Sequence, residues 1–205
     1  MIDEKIALLE KAKRQEDREQ LRKQEQAEEE TKPEEKLTVE AARAGIAAGE
    51  LVIGKQKYQF VKKNYLSGKI DWYDIVDRLE EKTDQTEEGD EIVLLSGIQD
   101  YVQIYLTSIH QPGKKTTMKE QTETAKKAFN ELGMFVRIEK RHEGEHFDYF
   151  TYFLPSGKGN IYGINYWQKD GKRQIIGSMT CLYKEKDTMG TLMEAMIEEI
   201  RVTEE

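Results

Sequence analysis

The chain has 205 residues, a formal net charge of −8, 37% apolar residues and 35% charged ones. That length supplies one core with an appendage and needs neither metal nor disulfide to hold it, and the single cysteine, Cys181, excludes an intramolecular disulfide framework. The acidic balance argues against a nucleic-acid partner, which requires clustered Lys and Arg, and no run reaches the ~20 apolar residues of a membrane span.

Residues 1–36 read as a charged helical or partly disordered arm. Large apolar side chains thin out after Ile2, Ile6, Leu8 and Leu9, with Leu21 the last before Leu37. Glu10 with Arg14 and Glu19 with Lys23 sit at i,i+4 with the acid first, a spacing worth ~0.3 kcal/mol per pair. Sustained a/d apolar positions are missing, so a stable coiled coil is not expected. Docking of Ile2, Ile6 and Leu9 onto a partner is the use such a segment suggests. The stretch Glu28 to Lys36 is acidic and lysine-rich around Pro33, and it resembles the tether of bacterial surface lipoproteins. As written the chain is expected in the cytoplasm. With Met1 in place of a removed signal, the address becomes the extracellular surface, held by a lipid anchor.

Residues 37–205 read as a single α+β globular domain. Thr38 predicts the N-cap of a helix through Ala48, closed by Gly49 in the left-handed conformation. Leu51–Ile53 and Tyr58–Phe60 predict a hairpin turning at Gly54-Lys55. Asp71 predicts the cap of a helix whose stripe is Trp72, Ile75, Val76 and Leu79. Strands follow at Glu91–Leu95 and Tyr101–Thr107. Thr117 with Glu120 spells a capping box for a helix carrying Met118, Ala125, Phe129 and Leu132 and ending at Gly133.

The remainder predicts a meander and a last helix. The strands are Met134–Lys140, Phe147–Leu154, Asn160–Gln168 and Arg173–Tyr183, with turns at Glu143-Gly144, Pro155-Ser156-Gly157 and Asp170-Gly171. Asp187 predicts the cap of a helix with Met189, Leu192, Met193, Met196, Ile197 and Ile200 on one face. Phe147, Tyr149 and Phe153 point to one side of their strand while Phe150, Tyr152 and Leu154 point to the other; Ile161 and Trp167 likewise oppose Tyr162, Ile164 and Tyr166. A sheet with one wet face would alternate apolar with polar. The expected fold is therefore α+β, a mainly antiparallel sheet covered by helices on both faces, an α/β/α sandwich.

This order of elements, above all the strand Arg173–Tyr183 followed by the helix Thr191–Ile200, resembles the PsbP-like α/β/α sandwich superfamily over the C-terminal two-thirds of the chain. The resemblance implies a protein that acts by binding other proteins, as photosystem accessory subunits, nuclear-transport cofactors and small bacterial lipoproteins of that superfamily do. It carries no shared catalytic set.

His142-Glu143-Gly144-Glu145-His146 matches the letters H-E-x-x-H, in which a zinc-protease helix places two histidines on one face. Gly144 between two strand-like runs predicts a polar hairpin tip instead. Asp100, Asp148, Glu139 and Glu145 show no spacing that pairs two of them for acid/base work. Cys181 lies in an apolar strand, which favours an inert thiol. Pro155 to Asn160 lacks the spacing of a phosphate-cradling loop. Met179, Met189, Met193 and Met196 read as core filling.

No catalytic residue, cofactor or metal ligand is assigned from these patterns. The expected function is a non-catalytic accessory protein binding a protein partner, of the kind found in bacterial secretion or surface systems. The candidate contact residues are Ile2, Ile6 and Leu9 in the arm and Tyr149, Tyr152, Tyr162, Tyr166 and Trp167 in the aromatic strands, rings that would either face a partner or fill the sandwich. The alternatives are an acidic immunity protein covering a basic toxin site, and a zinc-dependent hydrolase built on His142 and His146.

Overall fold

Thr38 opens the first helix, α1 (Val39–Ala48), by accepting from the Ala41 amide at 3.1 Å, and Gly49 closes it at φ 82°. The computed structural model describes residues 36–76, 79–87, 89–97, 102–109, 117–157, 159–168 and 174–203. The arm with Ile2, Ile6 and Leu9, and the turn at Asp170-Gly171, lie outside the described residues.

After α1 comes the hairpin of β1 (Glu50–Ile53) and β2 (Gln56–Tyr65), turning at Gly54 with φ 58°. β3 (Ile70–Ile75) pairs with β2, and the two-residue β11 (Arg201–Val202) pairs with β3. These four strands form the smaller sheet, in the order β1-β2-β3-β11.

The larger sheet contains β4 (Leu79–Gln85), β5 (Glu91–Gly97), β6 (Val102–Ile109), β7 (Arg137–Glu143), β8 (Phe147–Leu154), β9 (Ile161–Gln168) and β10 (Gln174–Leu182), in the order β4-β5-β6-β10-β9-β8-β7. Helix α2 (Met118–Glu131) starts at the expected capping box: Thr117 accepts from the Glu120 amide, and Glu120 returns its carboxylate to the Thr117 amide at 2.8 Å. Helix α3 (Thr191–Glu198) comes last.

The β8–β9 centre is buried on both faces, as the double aromatic alternation predicts. On one side Tyr149, Tyr162, Ile164, Tyr166 and Met179 join the core that includes Leu192, Met193 and Met196 of α3 and Trp72 of the smaller sheet. On the other, Phe150, Tyr152 and Trp167 pack with Met118, Ala125 and Phe129 of α2. Full burial of such side chains stabilises by roughly 1.5–3 kcal/mol each. The four methionines read as core are all buried. Toward β5 the α2-side face thins, and Tyr105 is 36% exposed.

Two expectations are corrected. Residues 70–75 form strand β3, not a helix capped by Asp71, and Leu79 belongs to β4. Phe60 pairs with Ile75 at one end of the β2–β3 ribbon and Tyr65 with Ile70 at the other, and all four are buried. The two pairs project from opposite faces of the twisted ribbon, so Trp72 and Ile75 are both buried although strand alternation sends them to opposite sides. Their three-residue spacing imitates a helical stripe. Asp71 instead pairs with Asn64 and, at 2.7 Å, with Lys62.

Asp187 does not cap the last helix either. The chain leaves β10 through a tight turn at Tyr183–Glu185 and a wide one at Lys186–Gly190, in which the Thr191 amide donates to the Lys186 carbonyl five residues back. Thr191 therefore continues a helical path and has no free end to cap. Gly190 is required in that wide turn, because a Cβ there would press on the Tyr162 ring.

Candidate functional site

One set of titratable groups that the fold brings together lies where the edge strand β7 faces α3. Position is set by one irregularity: Ile138 pairs with Tyr152 and Lys140 with Thr151, so Glu139 is an extra residue that the partner strand does not match. Such a bulge shifts the side-chain parity of everything after it. Ile138 joins the α2 side, while Lys140 and His142 reach α3.

There Glu194, 7% exposed, is the centre. Its carboxylate accepts from the Tyr149 hydroxyl at 2.9 Å and the Tyr162 hydroxyl at 2.7 Å, and is paired with the Lys140 ammonium. One turn on, Glu198 Oε1 lies 2.8 Å from His142 Nε2, and the His142 ring stacks on Tyr149 at 4.6 Å. Burial, then the negative charge of Glu194, hold both tyrosines well above their ordinary range. They are thus permanent hydroxyl donors, and Glu194 has its oxygens occupied from three directions. The arrangement ties α3 to the sheet, and its carboxylate is spent on that tie.

A second group stands at the start of β7. The Arg137 guanidinium lies over the Phe153 ring at 4.6 Å, Phe153 meets Tyr183 edge-on at 4.8 Å, and the Lys186 ammonium lies over the Tyr183 ring at 4.4 Å. Glu139 sits between the cations, accepting from Arg137 at 2.9 Å and from the Tyr183 hydroxyl at 2.8 Å.

Of the residues singled out from sequence, Tyr149, Tyr152, Tyr162, Tyr166 and Trp167 are each at most 5% exposed. As a contact surface they are corrected to core: burial leaves none of these rings free to meet a partner on this chain. Tyr149 and Tyr162 enter the Glu194 tie, and the Tyr152 hydroxyl is pushed up to about 12 by burial. His142 lies in β7 one residue before its end and His146 lies in the hairpin tip, so the helix that H-E-x-x-H requires is replaced by a strand and a turn. Among the described residues no group of three or more His, Cys, Asp or Glu is placed to hold a metal ion. Burial also raises the Cys181 thiol, which keeps it protonated.

Sequence reasoning missed Lys140, Glu194 and Glu198. A signal was available for Glu194: it is an acid set within the apolar run Leu192, Met193, Ala195, Met196 and Ile197, all of them buried.

No family model matches the chain, and no curated protein matches it. Among solved structures the chain is similar to the solution structure of cyanobacterial PsbP (CyanoP) from Synechocystis sp. PCC 6803, with 8% sequence identity and a TM-score of 0.53, over 70% of this chain and 92% of that one. At that identity the likeness concerns the backbone and transfers no site residue. With its antiparallel centre enclosed between α2 and α3, the chain has the PsbP-like α/β/α sandwich fold.

Proposed function

We propose that the chain is a non-catalytic accessory protein that acts by binding another protein. The observation that carries this reading is the use made of Glu194: the one carboxylate residue buried among the described residues is held by Tyr149, Tyr162 and Lys140 in a tie between helix and sheet, where a general acid or base would need an open approach to substrate. The PsbP-like fold supports it through the protein-binding habit of that superfamily. No helix among the described residues is long and apolar enough to cross a membrane. A bacterial secretion or surface assembly is the setting we favour, with the acidic stretch before Lys36 as tether.

The test is reciprocal co-purification from the native cells at native expression. A tagged chain is expected to recover one protein in fixed stoichiometry, and that protein, tagged in turn, to recover the chain. A chain that elutes alone in both buffer and cell extract overturns the reading.

A further inference from the structure

We infer that Arg137 and Lys186 form the docking point for an acidic segment of a partner protein. This rests on the protein-binding reading and names the chemistry of the surface that would serve it.

Both cations are held in place before any partner arrives. Arg137 lies flat over Phe153, with its side chain 52% exposed, and Lys186 lies over Tyr183 while donating to the Tyr183 hydroxyl at 3.0 Å. Long side chains ordinarily lose about 0.5–1.5 kcal/mol of rotamer freedom each when an interface forms. Here ring stacking has already removed much of that freedom.

Their charge is only half used. Glu139 takes one edge of the Arg137 guanidinium, and Asp187 beside Lys186 pairs with Lys36 at 3.9 Å. Among the described residues the Lys186 ammonium has no carboxylate within ion-pair distance, and its protein partner is the Tyr183 hydroxyl. Burial opposes its charge, yet that hydroxyl and the negative charges of Glu139 and Asp187 outweigh burial and keep it protonated.

The chain just before Arg137 carries the apolar side chains that select the occupant. Phe135, two residues before Arg137 in the chain, is 64% exposed, and Leu132 at the end of α2 is 72% exposed; they are the two most exposed large apolar side chains described. Arg, Tyr and Phe with an apolar neighbour are the composition of interface hot spots. Glu139 between the cations disfavours a doubly charged phosphate, and two cations fall short of the four to eight that draw a segment to an anionic membrane. A protein segment carrying single carboxylates next to a large apolar side chain fits on both counts.

The experiment measures fluorescence anisotropy of a fluorescein-labelled Glu-Leu-Glu-Glu-Phe-Glu peptide against the full chain. Arg137→Gln with Lys186→Gln is expected to weaken binding roughly tenfold or more, two lost ion pairs at a hot spot. Glu139→Gln is expected to tighten it, and Lys55→Gln with Lys57→Gln to leave it unchanged. Phe135→Ser is expected to weaken this peptide and leave an all-Glu peptide unaffected. Matching melting curves exclude misfolding of the variants.

Equal binding by wild type and the Arg137/Lys186 double variant overturns the proposal. So does displacement of the peptide by millimolar inorganic phosphate, or preferential binding to phosphatidylserine vesicles. The two readings separate cleanly. A co-purifying partner retained by the double variant removes this docking point and keeps the protein-binding function, whereas peptide binding through Arg137 and Lys186 with no native partner does the reverse.

Discussion

Glu194 shows how one side chain organises the local chemistry. Tyr149 and Tyr162 approach it from β8 and β9 and Lys140 from the bulged edge strand, so three strands converge on one carboxylate of α3. Removing the acceptor leaves the buried Tyr149 and Tyr162 hydroxyls without the carboxylate they donate to, at about 1–3 kcal/mol for each. Glu194→Ala is therefore expected to lower unfolding stability by several kcal/mol in a urea titration. Glu194→Gln, which keeps one acceptor oxygen, should cost far less. Lys140→Met tests the remaining arm: the lysine side chain is 48% exposed, so its loss should change stability by no more than about 1 kcal/mol.

At the scale of elements, the aromatic strands depend on two glycines. Gly163 lies across from Tyr152 and Gly177 across from Tyr166 in the β8–β9–β10 ladder. Each tyrosine ring takes the space a side chain on its glycine would need: a Cβ would overlap Tyr152 Cζ at Gly163 and Tyr166 Cζ at Gly177. Gly163→Ala and Gly177→Ala are expected to destabilise by about 1–3 kcal/mol each, as overpacked cores do, readable as a fall in the urea midpoint with unchanged slope.

These pairs also mark where sequence reading succeeds and where it stops. The cap at Thr38, Gly49 at the end of α1, the Thr117–Glu120 box and the two-sided burial of Phe147–Leu154 follow from local patterns that only one backbone satisfies. β3 does not, because its stripe of Trp72 and Ile75 is produced by a ribbon buried on different faces at its two ends. β4 escapes because an edge strand of Glu80, Glu81, Lys82 and Asp84 has no apolar alternation to betray it. The site was the least legible part: Lys140 reaches Glu194 only because Glu139 shifts the register, and nothing in the spelling of β7 announces an extra residue.

For the whole molecule the buried tyrosines set the response to alkali. Tyr65, Tyr149, Tyr152, Tyr162 and Tyr166 all have folded-state values raised above the ordinary one, chiefly by burial. An acid whose folded value is raised contributes its full stability below the unfolded value of about 10 and loses it as pH climbs beyond. Stability should thus be flat through neutral pH and fall from about pH 10 upward. Tyrosinate absorbance is expected to rise in one cooperative step with loss of circular dichroism; gradual titration of a still-folded chain would contradict this. The two hydrophobic clusters described are built from residues between Leu37 and Val202, and deletion of residues 1–35 is expected to leave the melting temperature of the domain unchanged in calorimetry.

The bulge at Glu139 gives this edge one residue that the ladder itself does not need. Losing that codon would restore a regular ladder with Lys140 still opposite Thr151 and His142 still opposite Tyr149, both on the α3 side. Glu194 and Glu198 would keep their partners from that strand, while Arg137 and the Tyr183 hydroxyl would lose the carboxylate they share. Deletion of Glu139 should accordingly leave the tie between α3 and the sheet in place and disturb only the group at the start of β7.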